Sequence, residues 1–131
     1  MGIKSVLADF YKGKTVLLTG HTGFKGSWMA YWLSEMGAKV IGYALPPENE
    51  DDHFNLLQLN KKITHIEADI LDGDKLKEVF ETYQPEIVFH LAAQALVRFS
   101  YDNPKLTFDT NVAGSVNVLE AIRESKSVKS F

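Results

Sequence analysis

Lys14-Thr15-Val16-Leu17-Leu18-Thr19-Gly20-His21-Thr22-Gly23-Phe24-Lys25-Gly26 is the stretch on which the reading of the whole chain turns. Lys14–Thr19 is a short apolar, partly β-branched run that breaks into a glycine-rich turn at Gly20, as a buried strand does when it ends. From Phe24 onward, Phe24, Trp28, Trp32, Leu33 and Met36 recur at a spacing of three to four, and Gly37 follows as a C-terminal stop, which predicts a helix. Gly20, Gly23 and Gly26 therefore lie between a strand and a helix. The first permits a tight turn, the second lets backbone N–H groups approach a pyrophosphate, and the third lets the helix pack close to the strand. The helix N-terminus adds the positive end of its dipole. These features predict a dinucleotide-binding turn. A Walker phosphate loop does not fit, because Lys25 precedes Gly26 instead of following it.

Outward from this turn the pattern repeats. Lys39–Tyr43 predicts a second buried strand, stopped by Pro46-Pro47, and the acidic stretch Pro46–Asp52 predicts an exposed loop leading to a short helical turn over His53–Leu59. Ile63–Ala68 predicts a third strand, and Asp72 or Asp74 caps a helix with Leu76, Val79, Phe80 and Tyr83 on one stripe. Ile87–Leu91 predicts a fourth strand. Pro104 opens a long helix on which Phe108, Val112, Val116, Leu119 and Ile122 are expected to face the core, and Ser127–Phe131 begins like a fifth strand. Strands alternating with helices imply right-handed crossovers and an α/β fold: a parallel sheet with helices on both faces, ending after about four strands. No repeat or linker divides residues 1–131, so one cofactor-binding domain is expected. Trp28, Tyr31 and Trp32 at helical spacing predict a packed or dimer-forming face.

Composition narrows the function classes. The 131 residues are 45% hydrophobic and 24% charged, the balance of a folded globular protein. A net charge of −3 supplies no basic field, so no nucleic acid partner is expected. The absence of cysteine excludes a disulfide framework, a thiolate metal site and a cysteine nucleophile, and it suits the cytoplasm. The longest apolar stretch, Ile87–Val97, is interrupted by His90 and Gln94 and is too short to span a membrane. His53, His65 and His90 share no metal-ligand spacing, so no metal is expected.

The G-x-x-G-x-x-G loop, Asp69-Ile70, His90-Leu91-Ala92-Ala93-Gln94 and Thr110-Asn111-Val112-Ala113-Gly114 together resemble the extended short-chain dehydrogenase/reductase family. The resemblance implies a Rossmann-type sheet and a nicotinamide cofactor. It implies that Asp69 bonds the adenine amino group, that Ala92 and Ala93 leave room for the cofactor, and that Asn111 stabilises the site in a supporting role. The cofactor contacts it implies are Gly20, Thr22, Gly23, Phe24, Lys25, Gly26, Asp69, Ile70, Leu91, Ala92, Ala93, Gln94 and Asn111. The strings Gly20–Trp28 and Ala92–Tyr101 resemble more narrowly the CDP-glucose 4,6-dehydratases. Those enzymes use NAD to oxidise C4 of the hexose, eliminate water across C5–C6 and return the hydride at C6. Arg98 and Ser100, expected in the loop after the fourth strand, lie near where the sugar of CDP-glucose would enter, or are solvated loop residues.

Three departures matter. The second strand ends Gly42-Tyr43-Ala44-Leu45-Pro46, without the acid that would bind the adenosine ribose, so NAD against NADP stays open. Lys25 could pair with phosphate and His21 could crowd it, or both could sit in solvent on the loop. The family's Tyr-x-x-x-Lys dyad is matched in spacing only by Tyr101 and Lys105. There Asp102 or Asn103 reads as an N-cap and Pro104 as the first helical residue, which places Tyr101 before the helix. No catalytic residue is therefore assigned. The chain is expected to be the N-terminal part of a longer lyase, inactive alone and self-associating through an unpaired strand edge. Another nucleotide-sugar epimerase or reductase, or a non-catalytic NAD(P)-binding module, remain alternatives.

Overall fold

The apolar run that ends at Gly20, the one that ends before Pro46 and two further extended segments become four parallel strands: β1 (Thr15–Thr19), β2 (Lys39–Ala44), β3 (Thr64–Glu67) and β4 (Ile87–His90). The computed structural model describes residues 2–131. The strand order is β3-β2-β1-β4, with Leu17 level with Ile41 on one side and Val88 on the other. Ser130 bridges Ile87 in parallel, as the expected start of a fifth strand does. Because the order reverses at β1, a crevice opens beyond the carboxyl ends of β1 and β4, where ligands of such sheets bind.

The central strands β1, β2 and β4 carry apolar runs because both faces are covered, whereas the edge strand β3, Thr64-His65-Ile66-Glu67, is polar at three of its four positions. Leu17, Ile41, Tyr43 and Val88 pack toward helices α4 (Gly73–Tyr83) and α7 (Gly114–Glu124). Val16, Leu18, Val40 and Ile87 pack toward α2 (Phe24–Glu35) and the short α3 (His53–Leu56). Asp72 caps α4, accepting the Lys75 N–H at 2.9 Å. A helix α1 (Ile3–Tyr11), absent from the expected elements although Ile3, Val6, Leu7 and Phe10 fall at helical spacing, precedes β1. Among the described residues no helix is long and apolar enough to cross a membrane.

Three expectations are corrected. Helix α2 forms, but its inward face is Gly26, Ser27, Ala30 and Leu33, while Phe24 and Trp32 are exposed. Small residues let the helix approach the sheet, and the bulky ones turn away. The residues after Pro104 are not one regular helix: α6 (Pro104–Phe108) runs through a π-turn at Asp109–Ala113 into α7. One extra residue in the turn rotates the downstream helix by about 100°. Gly114, Val118 and Ala121 are therefore buried, whereas Phe108, Val112, Val116 and Leu119 are exposed and only Ile122 of the expected set packs on the core. Gly114 leaves room for the Ile70 side chain, whose Cδ1 would lie 2.5 Å from a Cβ at that position. Lastly, Arg98 and Ser100 are not in a loop but on the short helix α5 (Val97–Asp102).

Candidate functional site

The glycine turn sits at the mouth of the β1/β4 crevice. Gly20 has φ +78°, a left-handed conformation that favours glycine. A Cβ on it would also lie 2.8 Å from the Ala92 backbone nitrogen, so the loops after β1 and β4 are in direct contact. A Cβ at Gly26 would lie 2.0 Å from the Gly20 carbonyl oxygen, so only glycine lets α2 start against the turn. Gly23 is the N-cap residue of α2 and no side chain caps this end. The N–H groups of the first turn are thus open to an acceptor from outside, with the helix dipole behind them. Phe24 and Lys25 are exposed beside it, and the Thr22 hydroxyl donates to the Leu45 carbonyl at 2.8 Å, tying the turn to the end of β2.

Beyond β3, Asp69 is exposed, and its Oδ1 accepts the Leu71 N–H at 2.9 Å. The Tyr43 hydroxyl donates to the Asp69 carbonyl at 2.8 Å. Burial, then Asp72 and Asp69, push that phenol well above its ordinary range, so it is a fixed donor. Ile70 is buried against Gly114, so its side chain belongs to the core and only its backbone is near the crevice. Beyond β4, Leu91 and Ala93 are exposed and Ala92 is half-buried. Asn111, in the π-turn, clamps Gln94: its Oδ1 accepts the Gln94 N–H at 2.8 Å and its Nδ2 donates to the Gln94 carbonyl at 3.0 Å. The Gln94 amide donates to Thr107 Oγ1 at 3.0 Å and accepts from the Leu96 N–H, folding the segment back on itself.

Tyr101 and Lys105 do not form a dyad. Tyr101 precedes the helix that Pro104 opens, as expected, and is itself the penultimate residue of α5; it is 82% exposed and separated from Lys105 by the break at Asn103, while Lys105 pairs with Asp109. Arg98 is exposed, and the Ser100 hydroxyl is used by the Val97 carbonyl.

His21 is neither on the surface nor free to crowd a phosphate: it is 0% exposed. Its ring lies over Gly42, where a Cβ would come within 2.4 Å of Cγ, and edge-on to Phe54. Its Nε2 is 2.7 Å from His65 Nδ1, and His65 Nε2 is 3.1 Å from Glu67. With His65 donating to the carboxylate, His21 donates to His65, and its own Nδ1 is buried without a partner. Burial, and then the His65 ring, lower its pKa from 6.5 to about 3. The unfolded chain takes up this proton near pH 6.5 and the folded chain only near 3, so between them the unfolded state binds more protons. This contribution to stability is complete above pH 6.5 and is lost as pH falls toward 3, with a slope approaching about 1.4 kcal/mol per pH unit. Urea unfolding at pH 7 and pH 4.5 checks it: replacing His21 with leucine should flatten the dependence, and an unchanged slope would exclude His21 as its source.

A family model described as GDP-mannose 4,6 dehydratase matches residues 17–131. The chain is 47% identical over 121 residues to the CDP-glucose 4,6-dehydratase of Salmonella typhimurium, covering 92% of this chain and 34% of that protein. It matches the structure of an epimerase from Methanothermobacter thermautotrophicus with TM-score 0.79 and 33% identity, over 96% of this chain and 36% of that one. It matches the Thermus thermophilus UDP-glucose 4-epimerase, solved in complex with NAD, with TM-score 0.77 and 31% identity over 88% of this chain and 36% of that one. The chain thus spans about a third of the length of these relatives.

Proposed function

Since the chain belongs to the GDP-mannose 4,6 dehydratase family, we propose that it supplies the NAD-binding part of a sugar-nucleotide 4,6-dehydratase acting on CDP-glucose. The observation that carries this reading is the cradle at the β1/β4 switch point, where a Cβ-free approach at Gly26 meets a helix end that no side chain caps. Such a cradle fits a pyrophosphate. The first-turn N–H groups and Lys25 would hold the phosphates. Asp69, with one carboxylate oxygen left over from its turn, would accept from the adenine amino group. Ala92 and Ala93 would leave space along the β4 exit, and the Asn111–Gln94 clamp would keep that wall in place. Bound NAD would act as hydride acceptor and then donor to the sugar. Arg98 and Ser100 would lie toward the substrate. The choice of CDP-glucose is supported by the 47% identity to the Salmonella enzyme.

Calorimetric titration of the chain with NAD and, separately, NADP tests the cofactor reading. NAD is expected to bind and NADP more weakly; absence of binding by either at millimolar concentration would reject it. A second reading, a sugar-nucleotide epimerase, is favoured by the epimerases among the matching structures. The protein carrying this chain, given CDP-glucose and NAD, should yield a product lighter by one water. A product of unchanged mass, inverted at C4, would favour the epimerase.

A further inference from the structure

We propose that His90, with its proton on Nε2, is a positioning residue that couples the cofactor turn after β1 to the π-turn carrying Asn111. The proposal rests on the cofactor-binding reading above and concerns how that site is held in shape.

The assignment comes from counting donors. Thr19, the last residue of β1, is fully buried. Its Oγ1 lies 3.1 Å from the Leu91 N–H and 3.1 Å from the Ala92 N–H, the former shared with Thr19's own carbonyl. Both neighbours can only donate, so they occupy the two acceptor positions of the hydroxyl, and its proton is left for His90 Nδ1 at 2.7 Å. Nδ1 is then an acceptor and the ring proton is on Nε2, 2.9 Å from Ser115 Oγ. Ser115 in turn donates to the Asn111 carbonyl at 2.7 Å. Every hydrogen in the chain from Leu91–Ala92 to Asn111 has one direction. Burial holds the His90 pKa below its ordinary value, which keeps the ring neutral and the chain intact near pH 7.

The relay joins both ends of one wall. Thr19 grips the β4 exit at Leu91 and Ala92, and Asn111 grips it at Gln94. His90 connects the two grips through Ser115, whose hydroxyl bonds neither the glycine turn nor residues 91–94. Its carbonyl partner lies in the π-turn, where regular helical pairing is interrupted.

Nitrogen-15 spectra of the histidine-labelled chain, with NAD titrations of variants, test the proposal. His90 is expected to show the Nε2–H tautomer in the wild type. Ser115→Ala removes the acceptor of the Nε2–H, so it should move the His90 Nε2 signal with the tautomer unchanged and weaken NAD binding about ten-fold, whereas Ser115→Thr, which keeps the hydroxyl, should restore the signal and bring the affinity to within about two-fold. Thr19→Val should weaken NAD binding at least as much, and Thr19→Ser should recover it. An Nδ1–H tautomer in the wild type, or wild-type NAD affinity and an unmoved His90 signal in Ser115→Ala, would overturn the proposal. If the wild type bound no NAD, the cofactor reading would fail instead, and the response of the His90 Nε2 signal to Ser115→Ala would still decide whether His90 is coupled to the π-turn.

Discussion

Gly26→Ala is expected to lower NAD binding by at least about a hundred-fold and to destabilise the fold by about 3 kcal/mol, the upper end of what an overpacked site costs. The added methyl would lie 2.0 Å from the Gly20 oxygen, 2.7 Å from its carbonyl carbon and 2.9 Å from the His21 Cα. All three atoms are backbone, so no rotamer change relieves the clash, and α2 must move away from the turn. The dipole end and the open N–H groups would move with it. Gly23→Ala is the informative contrast. Its Cβ would meet only the Gly20 oxygen, at 3.4 Å, so stability should change by less than about 1 kcal/mol while NAD binding still falls, because the methyl would occupy space that a phosphate needs. Chemical denaturation and calorimetry on the two variants separate these effects. A Gly26→Ala protein with wild-type stability and affinity would show that the close approach of α2 is not needed.

Gly42→Ala should cost about 2–3 kcal/mol, and most of that cost should vanish when His21 is also replaced by alanine. The reason is local. A methyl at Gly42 would lie 2.4 to 2.6 Å from three atoms of the His21 ring, which is boxed in by Phe54 and hydrogen-bonded to His65. Neither partner can yield without breaking that bond or displacing the core. In the double variant the ring is absent and the methyl fills part of its volume. The double-mutant cycle by urea unfolding should therefore give a coupling of about 2 kcal/mol between positions 21 and 42. Additive effects would mean that the ring has another place to go.

The sequence pattern was sufficient for the strands: β1, β2 and β4 are apolar runs because a covered parallel strand must be, and the edge strand β3 was legible from its alternation instead. It was sufficient for the glycine turn as well, where the spacing of Gly20, Gly23 and Gly26 has one economical physical reading. Helix α1 carries the pattern as well, with Ile3, Val6, Leu7 and Phe10 at helical spacing, but the pattern does not mark a core face there, since Val6, Leu7 and Phe10 are exposed. The relay of Thr19, His90 and Ser115 has no signature in the sequence: its members are 71 and 25 residues apart, and nothing local marks them as partners. Gly42 did carry a signal. A glycine inside a strand often marks a close approach, and here it is the His21 ring that approaches.

What the sequence alone determined is therefore the order of elements, the parallel sheet and the position of the candidate cofactor turn, all properties of local pattern and of the few ways such elements connect. The tertiary structure alone decided which helix faces are inward, that His21 is buried, and how the walls of the crevice are braced. Those outcomes depend on how closely two surfaces approach: small residues on α2 and α7 outcompete bulky ones for the sheet, and one extra residue in the π-turn rotates every side chain after it.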